Sequence, residues 1–319
     1  MPGDVPASPC YLFPFPLCHI AGYALLGQHL AGHPVALMAQ FSPAAWMERV
    51  GRYRITGTAL APTMINMILN DPAIALHDLS SLRSLGYGAS CIPPAVLRRA
   101  IDRFGPVFTQ GFGMTELAGN VVFMSKADHV RANRDAPHLL QAAGRPGALA
   151  EVRLVRGDGS DCAMDEAGEI AVRGDQVLTG YWNRPDANAE AFRGDWFHRG
   201  EMGRRDAEGF TTIVDRKKDT IVSGAENVYP REVGDVLHQH PDAAEAAVFG
   251  VPDDHWGERV TAAIVARPGR QLTAAALDSL CGGELAGCKR PRQWHFVTET
   301  PKNVSGRILK RELRARFGA

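Results

Sequence analysis

The sequence predicts an α/β protein built from a mostly parallel, layered sheet, a small antiparallel sheet or barrel, and a small α+β C-terminal domain. Three observations lead to this fold class. Short apolar runs alternate with amphipathic stretches from Leu12 to Pro106, short strands separated by turns follow from Gly144, and strands and helices mix again after Asp215. Strand–helix alternation is typical of parallel sheets with helices on their faces.

The first half of the chain supplies the alternating elements. Ser42 precedes Pro43 and an apolar-periodic stretch, which indicates an N-cap followed by proline at the first helical position. Pro62 and Pro93 open two further predicted helices. The predicted helices are 43–53, 62–69 and 93–104, and the predicted strands are 34–39, 58–60, 82–86 and 106–109.

The second half changes character twice. Turns such as Gly157-Asp158-Gly159 separate the short strands of the first part, and the last hundred residues have the size of a compact domain. We place the domain boundary at Asp215, giving domains 1–214 and 215–319, with 144–214 as a barrel-like subdomain. The predicted strands are 152–155, 168–173, 210–214, 244–251, 261–267 and 295–297, and the predicted helices are 230–240 and 272–285.

Composition excludes several classes of protein. Lys plus Arg and Asp plus Glu both number 35, so the zero net charge gives no argument for nucleic acid or an anionic membrane as partner. With 45% hydrophobic residues the chain can bury a core, and it contains no apolar run long enough for an integral membrane segment. Its six cysteines form no CxxC pair, which favours a reducing, cytoplasmic location.

The segment Gln110 to Gly119 contains the largest concentration of residues that could bind a ligand. Glycines allow a close backbone approach, and Phe112 offers a flat face for stacking on a purine. Thr115 can donate a hydrogen bond to a phosphate oxygen, and Glu116 can hold a hard cation such as Mg²⁺. A strand feeding this predicted turn would place it at the carboxyl edge of the sheet, where α/β proteins bind ligands. A glycine-rich surface turn is the alternative.

Further motifs accompany this segment in a fixed order. They are Pro16–Gly22, Gly86–Ser90, Gly168–Gly174, Gly180–Trp182, Trp196–Glu201, Asp215–Asp219, Ser223–Asn227 and Pro301–Leu309. In this order they closely resemble the AMP-forming acyl-CoA synthetases of the adenylate-forming superfamily, which act on fatty or aromatic acids among others. The resemblance covers nearly the whole chain. It implies that ATP and a carboxylic acid form an acyl-adenylate with Mg²⁺, and that coenzyme A then displaces AMP.

The resemblance also implies a role for individual residues. Phe112 would stack on adenine, Thr115 would contact the α-phosphate, and Glu116 would hold Mg²⁺. His19 matches a histidine near the acyl pocket, and Arg307 lies where the family has its adenylation lysine. The remaining expected nucleotide- or coenzyme-binding residues are Gly88, Ala89, Ser90, Gln110, Gly111, Gly113, Met114, Glu201, Arg216, Lys218, Gly224, Ala225 and Asn227.

Three residues depart from the family pattern. Glu201 replaces an aspartate that binds the ribose hydroxyls, and Ala225 replaces a glycine of the coenzyme A tunnel. Arg307 replaces a lysine, so a wide planar guanidinium stands where a compact ammonium bridges carboxylate and α-phosphate. We therefore expect a large loss in the adenylation step and a smaller loss in thioester formation.

The family's phosphate-binding loop, rich in Ser, Thr and Gly, is expected before His19 and is not found between Met1 and Cys18. We therefore expect an N-terminally truncated synthetase whose large domain is partial. Two interpretations follow: an acyl-CoA ligase, completed by a separate chain or acting alone, or an inactive fragment that binds acyl or nucleotide ligands. The acid is not identified, although apolar residues are candidates for its pocket: Met64, Ile65, Met67 and Tyr87.

Overall fold

The structure, a computed structural model, describes residues 9–18, 20–88, 90–224, 226–303 and 308–318. The chain forms two compact units. Unit 1 comprises the described residues of Met1–Ile92 and Val96–Leu149, and unit 2 those of Pro93–Ala95 and Ala150–Ala319. Across the described ranges, every helix is too short or too polar to cross a membrane. The predicted boundary at Asp215 stays a prediction.

Unit 1 contains a sheet of seven strands in the order β2-β1-β3-β4-β5-β6-β7. The first five strands of that order are parallel to one another, and β6 and β7 are added antiparallel. This mixture gives one sheet whose parallel part has a common carboxyl edge. The strands are β1 (Tyr11–Phe13), β2 (Val35–Leu37), β3 (Gly57–Leu60), β4 (Ser84–Tyr87), β5 (Phe108–Met114), β6 (Gly119–Met124) and β7 (Arg145–Pro146).

Two of the helices that connect these strands, α2 and α5, begin at a residue whose side chain caps the helix. The hydroxyl of Ser42 accepts from the Ala45 N–H at 3.2 Å at the start of α2, as the sequence predicts. Ser125 and Asp128 form a capping box at the start of α5, a helix that the sequence pattern does not predict. The helices are α1 (Ile20–Leu30), α2 (Pro43–Arg52), α3 (Pro62–Asn70), α4 (Pro94–Phe104) and α5 (Lys126–Arg134).

Unit 2 begins with a five-stranded antiparallel sheet in which β10, β11, β9 and β8 are neighbours in that order and β12 pairs with β11. It contains the predicted strand 168–173 with the predicted bounds. The elements are β8 (Glu151–Val155), β9 (Gly168–Arg173), α6 (Pro185–Ala191), β10 (Phe192–Arg193), β11 (Trp196–Arg205) and β12 (Thr211–Arg216).

The rest of unit 2 is the predicted α+β region. Its second sheet has the order β14-β13-β16-β15, with β17 parallel to β16. Val233 and Leu237 of α7 and Leu277 of α8 lie in its hydrophobic core. The elements are β13 (Ile221–Ser223), β14 (Glu226–Val228), α7 (Pro230–Leu237), β15 (Ala243–Asp253), β16 (Gly257–Ala266), α8 (Ala274–Glu284), β17 (Gln293–Phe296) and α9 (Lys310–Phe317). The predicted α/β class, with a parallel-rich sheet, antiparallel sheets and a terminal α+β region, is confirmed.

Candidate functional site

The carboxyl ends of β4 and β5 bring two of the predicted motifs together in unit 1. Tyr87 and Gln110 are the last paired residues of these parallel strands. Gly88 follows β4 at once, and a Cβ atom there would lie 2.7 Å from the carbonyl oxygen of Gly111. We call Gly88, Ser90 and the segment 110–116 the β4–β5 edge. Ala89, also predicted in this group, lies outside the described residues.

The segment Gln110 to Met114 is a strand and not the turn predicted from its glycines. The chain reverses only after Met114, and β6 returns antiparallel to pair with all five of these residues across one register shift. A Cβ atom on Gly113 would lie 1.8 Å from the carbonyl oxygen of Gly119, and one on Gly111 would lie 2.1 Å from the Asn120 amide. Glycine is therefore required here by the close approach of β6, whatever ligand binds at the edge.

The reversal after Met114 contains the two residues predicted for phosphate and metal. Thr115 to Leu117 form a single 3₁₀ turn, in which Leu117 is fully buried, Thr115 is exposed and Glu116 is half-buried. Ala118 closes the turn with φ of 48°, a left-handed conformation that only a few per cent of non-glycine residues adopt. A buried leucine and a fixed closing residue therefore hold Thr115 and Glu116 at the end of β5.

Glu116 is a single carboxylate, and among the described residues no group of three or more His, Cys, Asp or Glu side chains could hold a metal ion. This donor set fits Mg²⁺ in one specific way. Mg²⁺ keeps several waters and is bound through one or two carboxylates together with substrate phosphates, without a cage of protein ligands. The edge therefore suits a cation that arrives with a phosphate-bearing ligand.

Behind the edge lies a buried polar network that the sequence motifs do not reveal. The hydroxyl oxygen of Tyr87 lies 2.9 Å from Oε1 of Gln110 and 2.9 Å from Nε2 of His129. Nδ1 of His129 lies 2.7 Å from the carbonyl oxygen of Ser125. Burial lowers the pKa of His129 below its ordinary value. No sequence pattern distinguishes His129 from a surface histidine, because Tyr87 and Gln110 come from two strands far from it in the chain.

The expected acyl-pocket residues divide into two groups. Met64, Ile65 and Tyr87 are buried in the core of unit 1, whereas Met67 is 45% exposed. Ile65 is fully buried and Tyr87 is occupied by its hydrogen bonds, so packing accounts for both. His19, the other residue expected near the acid, lies outside the described residues.

Unit 2 contains a separate candidate region around Glu201. Glu201 on β11 and Arg216 on β12 are direct cross-strand partners, and Arg216 Nε lies 3.3 Å from Glu201 Oε1. They line a cavity of about 500 Å³, which we call the β11 cavity. Its lining residues are Glu169, Ala187, Glu190, Ala191, Arg193, His198, Gly200, Glu201, Arg216, Lys217 and Lys218.

An irregularity in β11 brings Glu201 to this cavity. His198 pairs with Ala171 and Met202 pairs with Glu169. Three residues of β11 therefore lie opposite a single residue of β9 between these two pairs. We call the extra segment 199–201 the β11 bulge. Gly200, at its centre, has φ of +76°, which L-residues with a Cβ rarely adopt. Bulges frequently re-aim side chains next to active sites, and this one positions the predicted ribose-binding carboxylate.

A cluster of charged side chains surrounds Glu169 of β9 beside the β11 bulge. Glu169 Oε2 lies 3.3 Å from Arg193 Nη1, 3.6 Å from Lys217 Nζ and 3.8 Å from His198 Nδ1. Burial, followed by the positive charge of Arg193, lowers the pKa of His198. His198 is therefore mainly neutral at pH 7, and the net attraction in the cluster is between Glu169 and its two cations.

The residues expected to line the coenzyme A tunnel lie around β13 and β14, together with Asn227, which is expected to reach the nucleotide. Lys218 lies in a 3₁₀ turn after β12, Gly224 donates its N–H to the Trp256 carbonyl oxygen at 2.9 Å, and Asn227 is exposed on β14. Ala225, between the last two, lies outside the described residues.

Arg307 also lies outside the described residues, but the chain that leads to it is described. Lys302 Nζ lies 2.8 Å from both carboxylate oxygens of Glu245, and Thr300 donates its hydroxyl to the same carboxylate at 2.6 Å. The backbone of Lys302 also forms an isolated antiparallel β-bridge with that of Ile308. A lysine held by both oxygens of one carboxylate anchors the start of this segment and is poorly suited to the role of the lysine that the family pattern leads us to expect at position 307.

The sequence model described as "AMP-binding enzyme" matches residues 3–182, and the one described as "AMP-binding enzyme C-terminal domain" matches residues 232–307. The chain belongs to the AMP-binding enzyme family. Among curated AMP-binding enzymes, it is 37% identical over 319 residues to a medium/long-chain-fatty-acid–CoA ligase of Mycobacterium tuberculosis, covering 98% of this chain and 55% of the relative. It is 40% identical over 305 residues to a feruloyl-CoA synthase of an Amycolatopsis species, covering 95% of this chain and 60% of the relative.

Solved structures of AMP-binding enzymes have the same fold. An amide bond synthetase of Marinactinospora thermotolerans superposes with a TM-score of 0.89 at 34% identity, covering 96% of this chain and 61% of that one. The o-succinylbenzoate CoA synthetase of Bacillus subtilis, solved with an acyl-adenylate intermediate, gives a TM-score of 0.82 at 31% identity and covers 98% and 62%. The chain thus spans 55–60% of the length of the curated relatives quoted.

Proposed function

We propose that this chain takes part in the ATP-dependent activation of a carboxylic acid, through an acyl-adenylate, to an acyl-CoA thioester. The observation that carries the proposal is the β4–β5 edge. There Phe112, Thr115 and Glu116 follow one another at the carboxyl end of a parallel strand, beside the turn after β4. Open α/β sheets bind their ligands at such edges.

The chemistry of the edge residues supports an adenine nucleotide. Phe112 is half-buried, which leaves part of its ring for stacking on the base. Thr115 is exposed and can donate to the α-phosphate. Glu116 would hold Mg²⁺, which when bound neutralises charge on the phosphate oxygens. Gly88 and Ser90 would contact the other side of the adenine.

Unit 2, taken by itself, contains residues suited to binding a ribose and coenzyme A. The carboxylate of Glu201 can accept from ribose hydroxyls while Arg216 holds its Oε1 atom at 3.3 Å. Lys218 is an exposed cation suited to an anionic thiol carrier, and Gly224 lies in the turn after β13. Asn227, on β14, would reach the nucleotide. We propose coenzyme A as the second substrate on this basis and on the family's chemistry.

For the acid we propose a fatty or aromatic carboxylic acid. The names of two relatives, a medium/long-chain-fatty-acid–CoA ligase and a feruloyl-CoA synthase, support this class. Because the chain spans 55–60% of their length, a separate chain that carries the rest of the family fold is a proposed partner. We propose the cytoplasm as the location, on the basis of the cysteine pattern.

The direct test is ATP–pyrophosphate exchange with a panel of fatty and aromatic acids, followed by detection of the thioester after coenzyme A is added. The assay is run on this chain alone and with the N-terminal part of a relative supplied as a separate chain. Exchange that depends on one class of acid in either format supports the proposal. Absence of both exchange and AMP binding in both formats would overturn it.

Two variants that restore the family residue sharpen this test. Arg307→Lys replaces the planar fork with a compact ammonium, and we expect pyrophosphate exchange to rise by about tenfold or more because the charge then fits between carboxylate and phosphate. Glu201→Asp withdraws the carboxylate by one methylene, and we expect tighter AMP binding. Arg311→Lys, an exposed change on α9, is the matched control.

A further inference from the structure

Helix α1 turns its large apolar side chains away from the sheet of unit 1. Tyr23, Leu26 and Leu30 are 71%, 62% and 90% exposed. They occupy positions i, i+3 and i+7, which share one face of a helix. Ala21, on the opposite face, is only 3% exposed. A surface helix normally has the reverse arrangement, with its apolar stripe against the core and its polar face in water.

The composition of α1 is that of a buried helix. It contains no Asp, Glu, Lys or Arg between Ile20 and Leu30. Helices that are apolar on all sides belong to protein interiors, where a layer covers each side. The outer side of α1 is nevertheless open, since a Cβ atom added at Gly27 would meet no atom within 4 Å. The helix therefore has the sequence of a covered element and an uncovered outer face.

Strand β2, which follows α1, has a free edge. It is first in the order of its sheet and, in the part of the chain that the structure describes, pairs with β1 alone. Met38 donates its N–H to Phe13 of β1, so the alternation of a strand points the N–H groups of Val35 and Leu37 to the free edge. All three residues of β2 are apolar, without the charges that usually protect an exposed edge.

The comparison with relatives supplies an occupant for this surface. The chain spans 55–60% of the length of the two curated relatives quoted. The model of the family's C-terminal domain matches residues 232–307, so the smaller domain is represented here. We expect the unmatched length in the larger domain, whose model matches residues 3–182 and includes the described part of unit 1.

We propose that the outer face of α1 and the free edge of β2, together the α1–β2 face, dock a separate polypeptide that carries the unmatched part of the AMP-binding domain. Its apolar layer covers Tyr23, Leu26 and Leu30, and one of its strands extends the sheet beyond β2. A second copy of this chain could also cover apolar side chains, but it would supply none of the unmatched length. The inference rests on the proposed function, which includes such a partner.

Co-expression tests the docking directly. The affinity-tagged intact chain is produced with the segment of the Mycobacterium tuberculosis ligase that has no counterpart in it, and captured segment is quantified. We expect equimolar capture by the wild type. The double variant Leu26→Glu/Leu30→Glu should capture about tenfold less or lower still, because it places two charges in an apolar contact. Leu76→Glu, at an 85% exposed position of the same unit, is the matched control and should capture as wild type does.

The urea midpoint of each chain alone separates docking from folding. Leu26 and Leu30 are exposed, so the double variant should unfold at the same midpoint as the wild type. Absence of capture by the wild type, or equal capture by the double variant, would overturn the proposal. So would self-association that the double variant abolishes without any capture of the segment, because the face would then belong to a second copy.

Amide hydrogen exchange in the captured complex tests the strand edge. The amides of Val35 and Leu37 should exchange about tenfold more slowly than in the free chain, whereas those of α2 should not change. Unchanged exchange at both positions would overturn the proposed surface. Capture without pyrophosphate exchange or AMP binding would support the surface and overturn the proposed function. Pyrophosphate exchange that persists undiminished in the double variant would overturn the surface alone.

Discussion

Two polar clusters lie beside the candidate sites, one neutral and one ionic. The first, here called the relay, is the buried network of Gln110, Tyr87, His129 and the Ser125 carbonyl oxygen behind the β4–β5 edge. The second is the charge cluster of Glu169, Arg193, Lys217 and His198 beside the β11 bulge. In the relay, Tyr87 and His129 are nearly fully buried and uncharged. In the cluster, Glu169 is buried but its partners Arg193 and Lys217 have side chains that are 46% and 61% exposed. The neutral network depends on which atom holds each proton, whereas the ionic one depends on charge and is open to screening by salt.

The two regions also use glycine for different reasons. Glycine is required at position 113 for steric reasons, because the backbone of β6 occupies the place where a side chain would be. Gly200 is required by its backbone angle, while its nearest neighbour, Cβ of Lys217, would be at an ordinary 3.7 Å. This difference predicts how strongly each region responds to the same substitution.

The largest loss of stability is expected from a glycine substitution at the β4–β5 edge. Gly113→Ala places a methyl group against the Gly119 carbonyl oxygen, so β5 and β6 must separate, and we expect a loss of about 3 kcal/mol in the free energy of unfolding. Urea denaturation measures it. Gly27→Ala on α1, where nothing lies within 4 Å, is the control and should be neutral or slightly stabilising. Equal stability of the two variants would refute the packing argument.

A smaller effect is expected at the β11 bulge. Gly200→Ala imposes a left-handed conformation on alanine but meets no close atom, so we expect a loss of about 1–2 kcal/mol. AMP affinity should fall as well, because Glu201 is the next residue. Denaturation and calorimetry on the same samples separate the two effects. A variant as unstable as Gly113→Ala would mean that the bulge is held by packing.

The relay should respond to protons. The pKa of His129 is lowered in the folded chain, so the unfolded chain takes up its proton first as the pH falls below about 6.5. The contribution of His129 to stability is therefore complete above that pH and declines below it. His198, His238 and His295 act in the same direction, so the test is the difference between wild type and His129→Gln. A pH-independent difference would contradict a neutral His129.

The stability that the Glu169 charge cluster contributes should depend on salt, and this is the smallest of the expected changes. Glu169→Gln removes the charge that attracts Arg193 and Lys217, both partly exposed, so we expect a loss of no more than about 1 kcal/mol at low salt. This loss should shrink at about 0.5 M salt because screening weakens the ion pairs. Glu151→Gln, which breaks an exposed pair with Arg173 in the same sheet, should change stability by less than about 0.5 kcal/mol.

The sequence predicted the elements whose signals are local. Ser42 and Pro43 mark the start of α2, and the alternating run 168–173 matches β9. It missed α1 and α5, and it placed a turn where β5 continues to Met114. That extension depends on pairing with β6, a partner from elsewhere in the chain, which no local propensity shows.

The same distinction holds for the candidate site. Residues inside ordered motifs, such as Phe112, Glu116 and Glu201, were found from the sequence, and their functional roles remain predictions. His129 and Glu169 were not identified as site residues. His129, on α5, meets Tyr87 of β4, and Glu169, although inside a quoted motif, meets Arg193 of the neighbouring β10 and Lys217 after β12. Contacts of this kind become visible only once the tertiary structure is known.

The central claim, that an adenine nucleotide binds here, is tested most directly by titrating AMP into the intact chain by calorimetry, beside Phe112→Ala and Glu201→Ala. We predict saturable binding in the wild type and affinity reduced by about tenfold or more in each variant, since stacking and a ribose carboxylate each contribute about 1–3 kcal/mol. Absence of AMP binding in the wild type, or binding unaffected by both substitutions, would contradict the account.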